Sequence, residues 1–103
     1  MNIETPVQFK GNEAFYEKML RKFVNELPAA WTPFGDAVAD MESLMAFVHK
    51  IKGIAGNLSV NEAYQSAQEL EIALRDDKPD VELYRAFTEA CDAFREAMRT
   101  RAS

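Results

Sequence analysis

The chain has only one cysteine, Cys91, and one histidine, His49, among its 103 residues. A lone cysteine forms no internal disulfide, and with one histidine it cannot complete a zinc site. Long apolar runs are also missing. The longest uninterrupted one, Leu44 to Val48, falls far short of a membrane span. Met1, Asn2, Ile3 and Glu4 lack the basic start and apolar stretch of a signal peptide, so a cytoplasmic domain without direct membrane contact is expected. Nor is there an excess of positive charge. Twelve Lys and Arg against seventeen Asp and Glu give a formal charge of −5, which argues against nucleic acid as a partner. Four glycines, four prolines and few β-branched runs argue against an all-β domain.

What is present is helical spacing. Length and an apolar fraction of 48% fit one domain over residues 1–103, with a leader at 1–10 and a helical bundle over 11–101. Asn12 can cap a helix in which Tyr16, Leu20, Phe23 and Leu27 share a face. Pro28 and Pro33 restrict Ala29 to Ala39 to a short or kinked helix. Asp40 can cap a second long helix with Met41, Leu44, Val48, Ile51, Ala55 and Leu58 inward, its stripe widened by Phe47 and Ile54. Ser59-Val60-Asn61-Glu62 reads as a capping box opening a helix with Ala63, Ala67, Leu70 and Leu74 inward. After the break Asp76 to Asp80, a last helix carries Tyr84, Phe87, Cys91, Phe94 and Met98 on its seam. Cys91 and the Met and Phe stripes are therefore read as core. The fold class expected is all-α: an antiparallel up-and-down four-helix bundle with an additional short or kinked N-terminal segment.

His49 does not lie on the core seam. It projects about 130° from the centre of the apolar stripe, on an exposed face it shares with Lys52, Gly53 and Gly56. Between Lys22 and Arg75 the only lysines or arginines are Lys50 and Lys52, against seven acidic residues. Gly53 and Gly56 stand inside a helix, where each costs about 1 kcal/mol relative to alanine. Close approach of another molecule or of a neighbouring helix could offset that cost. An exposed imidazole offers a nucleophilic lone pair at neutral pH. The Lys52 ammonium is expected to disfavour the imidazolium and to stabilise an arriving phosphoryl group. That combination suits reversible phosphoryl capture. A scaffold bundle with an incidental surface histidine is the alternative. An acid–base enzyme using His49 and Glu71 is a third reading, disfavoured because no cleft is evident.

His49-Lys50-Ile51-Lys52-Gly53-Ile54-Ala55-Gly56-Asn57-Leu58, followed by Leu70-Glu71, resembles the signature of histidine phosphotransfer (HPt) domains. That signature runs His-x-Leu-Lys-Gly-x-Ala-x-x-Leu-Gly, with a Leu-Glu pair on the next helix. Gly11 to Tyr16, with Leu20 and Phe23, is similar to the opening of HPt domains attached to hybrid sensor kinases, and the resemblance covers residues 11 to about 100. It implies a phosphorelay intermediate, not an enzyme with its own ATP site. His49 would take a phosphoryl group from a receiver-domain phosphoaspartate and pass it to another receiver. Lys52 would stabilise that group and Gly53 would leave room for it. Glu71 matches a position where some members bond the other ring nitrogen; a turn near Leu58–Ser59 would put Gln68 across from His49 and Glu71 within a turn of it. Lys50, pointing about 100° from His49, is read as a docking charge. No cofactor and no metal are implied on this chain; Mg²⁺ would sit on the receiver. The partners implied are response-regulator receivers and the rest of a hybrid kinase, with the domain acting as a monomer, free or tethered through that kinase to the inner face of the membrane. Ile51 departs from the signature leucine and Ser59 from its glycine.

Overall fold

Amphipathic stripes with a period near 3.6 bury themselves by packing helix on helix. A computed structural model describes residues 3–101, and helices are the only regular elements among them. Met1, Asn2 and the last two residues lie outside that range, as does the part of the signal-peptide expectation that rests on the first two. The long helices are α1 (Glu13–Glu26), α3 (Met41–Leu58), α4 (Asn61–Arg75) and α5 (Val81–Thr100), with a six-residue α2 (Phe34–Ala39) between the first two. α3 packs on α4, α4 on α5, and α1 closes the ring against both α5 and α3. Phe23 packs against Phe94 with the rings tilted, and Glu17 near the start of α1 pairs with Arg101 after the end of α5. The Tyr16 hydroxyl, also near the start of α1, donates to the Leu58 carbonyl at the end of α3. α1 is thus antiparallel to both neighbours, and the bundle is up-and-down.

The core residues are those of the seams. Tyr16, Leu20, Phe23, Val48, Ile51, Ala55, Leu70, Phe87, Cys91 and Phe94 are buried together. Met41, Phe47 and Ile54 are half-buried at the edge of that core. Burial pushes the Cys91 thiol up to about 12, so it is an inert core group.

The ends of the helices differ from the sequence reading in two places, Asn12 and Ser59. Asp40 caps α3 through the Ser43 N–H, and Asp80 caps α5 through those of Glu82 and Leu83. Asn12 occupies the N-cap of α1 but makes no cap hydrogen bond with its side chain. Glu13 instead reaches back to the Gly11 N–H.

The capping box at Ser59 does not form. Val60 is the N-cap of α4, without a side-chain bond. Ser59 terminates α3 in the left-handed region, at φ 58° and ψ 36°. A serine therefore holds the conformation that glycine takes at such helix ends.

The leader is more than an approach to the first helix. Val7–Phe9 form a 3-10 turn, Phe9 packs on Phe15 and Tyr16, and Gln8 donates to the Asn57 carbonyl. The proline-bounded stretch is helical only over Phe34–Ala39. The segment before it is fastened to α5: Trp31 Nε1–H donates to Asp92, the Tyr84 hydroxyl to the Thr32 carbonyl, and Arg95 to the Pro28 carbonyl.

Candidate functional site

α3 and α4 are joined by a two-residue turn, so their register is fixed by the antiparallel hairpin. Residues 49 and 71 lie eleven positions to either side of Val60 and meet across the helix pair. Gln68, expected opposite His49, is half-buried one turn nearer the loop. The turn is centred slightly later than Leu58–Ser59, which advances the pairing to Glu71.

His49 projects from the middle of α3 with 65% of its side chain exposed. Its Nδ1 lies 2.6 Å from Glu71 Oε2. A carboxylate can only accept, so Nδ1 carries the proton and donates, and the lone pair is left on Nε2. Glu71 is 3% exposed and is one of two buried polar residues among those described. Its other oxygen, Oε1, accepts from Lys52 Nζ at 2.5 Å, and Arg75 approaches Oε2 at 3.4 Å. Burial raises the Glu71 carboxyl. The hydrogen bonds from Lys52 and His49, with the charges of Lys52 and Arg75, outweigh that and hold it below its ordinary value.

Lys52 is ion-paired to Glu71, and the group in contact with the ring is the carboxylate. The carboxylate accepts from Nδ1–H and so holds the ring in the tautomer whose lone pair is on Nε2, as the aspartate does in a catalytic Asp–His pair. The arrangement can orient one tautomer and stabilise the charge that develops when Nε2 forms a bond.

The two glycines of α3 differ. A Cβ on Gly53 would meet no atom within 4 Å, so the surface beside His49 is open there. A Cβ on Gly56 would lie 3.1 Å from Tyr64 Cδ1, so Gly56 gives room to a ring of α4. Lys50 is bound to Glu26 of α1 at 2.7 Å, which places it on the flank of α3 away from Glu71.

Arg75 and Tyr64 were not singled out by sequence reasoning. The signal for Arg75 was its position four residues after Glu71, on the same helical face. Among the described residues no group of His, Cys, Asp and Glu side chains could hold a metal ion. No described helix is long and apolar enough to cross a membrane.

No curated protein and no solved structure matches the chain. A family model does: that of the Hpt domain, over residues 18–99. The match spans most of α1, all of α2, α3 and α4, and α5 but for its last residue. The chain therefore belongs to the Hpt domain family, the helical phosphocarriers of two-component signalling.

Proposed function

We propose that this domain is a phosphorelay intermediate in which His49 Nε2 accepts a phosphoryl group from the phosphoaspartate of one receiver domain and delivers it to the aspartate of another. The supporting observation is the exposed imidazole whose Nδ1 is engaged by the buried Glu71, leaving Nε2 directed at solvent. In the forward step the Nε2 lone pair attacks phosphorus. The bond from phosphorus to the aspartyl oxygen breaks, a P–N bond forms, and the donor regains its carboxylate. The return step reverses these bonds on the second receiver.

In this reading Lys52 offsets phosphoryl charge from one turn away, and Gly53 leaves the approach clear. Glu71 is a positioning residue: it holds the ring and its tautomer without touching phosphorus. Gln68 and Gly56 border the face, and Lys50, steadied by Glu26, is a docking charge at its edge. Mg²⁺ belongs to the receiver, whose acidic pocket binds it. The partners are response-regulator receivers, whether the domain is free-standing or carried by a hybrid kinase.

The test is phosphorylation by a phosphorylated receiver with Mg²⁺. One phosphate, stable in base and lost in acid, is expected on His49. His49→Gln should abolish it with helical content unchanged, since the side chain is exposed, and ATP alone should leave the domain unlabelled. Labelling retained in His49→Gln overturns the assignment and favours the scaffold reading.

A further inference from the structure

On the flank of the bundle served by α2, a groove of about 390 Å³ runs between the 28–32 segment, α2, the first half of α3 and the start of α5. Its one link to the His49 face is Glu26, which steadies Lys50 at that face's edge. Phe47, which lines it, precedes His49 by two positions, about 200° around the helix.

Half-buried Trp31 and Phe47 line the groove, backed by the wholly buried Phe87. Trp31, Phe47 and Phe87 meet edge to face, with ring centroids 6.2 Å apart for Trp31–Phe47, 5.8 Å for Trp31–Phe87 and 6.2 Å for Phe47–Phe87. The Trp31 ring is held in place by its indole N–H bond to Asp92. Three carboxylates, Glu26, Asp36 and Asp40, stand among the lining residues, and no lysine or arginine does. Glu26 is paired with Lys50, and Asp40 accepts the Ser43 N–H. Asp36 is exposed and makes no hydrogen bond or ion pair among the described residues.

Aromatic faces attract weakly hydrated cations through the ring quadrupole, and carboxylates at the rim add attraction of the same sign. A metal ion would need an oxygen cage instead of aromatic rings. The volume lies within the range of about 300–1,000 Å³ typical of small-molecule sites. We infer that this groove is a binding site for a small organic ammonium, a cation with an apolar, alkylated body.

Trp31 is the only tryptophan of the chain, so its emission reports on the groove alone. Choline and its uncharged carbon isostere, 3,3-dimethyl-1-butanol, are titrated at matched ionic strength. Choline should give a saturable change in Trp31 emission and raise the melting temperature. The alcohol should bind at least tenfold more weakly. Asp36→Asn, at an exposed position outside the relay face, should weaken choline about threefold, as expected for one surface charge, and leave the alcohol unchanged. The assignment is overturned by equal responses to choline and the alcohol, by an unaltered choline response in Asp36→Asn, or by no saturation below about 100 mM choline.

Discussion

His49 Nδ1 and Glu71 Oε2 are 2.6 Å apart, and they join the most exposed part of the candidate site to one of its most buried side chains. The pair makes a surface imidazole stereochemically fixed. Its ring cannot turn without losing the bond, and its proton cannot move to Nε2 without leaving a buried carboxylate short of a donor.

That relationship predicts a change of tautomer. In Glu71→Ala the imidazole ¹⁵N shifts should move from a single Nδ1–H form toward a mixture of both neutral forms. Transfer from a phosphorylated receiver should slow by on the order of tenfold or more, about 1.4 kcal/mol of barrier. Glu71→Gln, which keeps an acceptor and loses the charge, should preserve the tautomer and recover part of the rate. Unchanged shifts in Glu71→Ala would show that the carboxylate does not orient the ring.

Lys52 acts on both stability and transfer. Its ammonium is the closest cation to a carboxylate that is 3% exposed, so Lys52→Ala leaves Glu71 with His49 and Arg75 alone. A loss of about 1–3 kcal/mol is expected from an under-compensated buried group, and each kcal/mol lowers the melting temperature by roughly 4–8 °C in a domain of this size. Transfer should slow by about tenfold as well. An unmoved melting temperature would show that the Lys52–Glu71 pair adds nothing to the fold.

The depressed Glu71 carboxyl fixes the sign of an acid effect. A carboxyl held lower in the folded than in the unfolded chain stabilises the fold above the unfolded value of about 4.3. That contribution fades as pH falls from there through the folded value. The stability difference between wild type and Glu71→Gln should therefore be largest above about pH 5 and shrink below about pH 4. Thermal melts of both proteins across that range check it, and a difference that grows in acid would contradict it.

Ser59 stores a small strain that glycine would relieve. With φ at 58° it occupies a region costing non-glycine residues about 1–2 kcal/mol. Glycine offsets part of that gain by loosening the unfolded chain. Ser59→Gly should raise the melting temperature by a few degrees without altering transfer. A lower melting temperature would mean that the serine side chain holds the turn in another way.

The bundle was legible in the sequence because its core obeys periodicity. The seam residues of α3, α4 and α5, from Leu44 to Met98, are buried where their spacing put them. The burial of Glu71 was not legible, since a glutamate beside Leu70 reads equally well as a solvated or ion-paired group. Only the register set by the Ser59–Val60 turn brings it under His49. The Ser59 pattern misled for a related reason: the motif S-x-x-E describes a helix start, but the same serine was needed to end the preceding helix. The segment 28–33, punctuated by prolines, gave no hint that Trp31 would be fastened to α5, because that contact joins residues sixty-one positions apart.

The two glycines of α3 separate access from packing. Gly53 faces open space, so Gly53→Ala should stabilise the helix by up to about 1 kcal/mol through propensity alone. Gly56→Ala carries the same propensity gain but brings its Cβ 3.1 Å from the Tyr64 ring, tighter than ordinary contact, so the gain should be cancelled or reversed. Tyr64→Ala combined with Gly56→Ala should recover it, and the double-mutant cycle isolates that coupling. Gly53→Gln extends the test to function. It should keep the fold yet slow transfer sharply, because its side chain stands one turn from His49 where a receiver must approach. Melting temperatures and transfer rates of these variants give opposite signs for the two positions. A destabilised Gly53→Gln, or one that transfers as fast as wild type, would remove Gly53 from the approach surface.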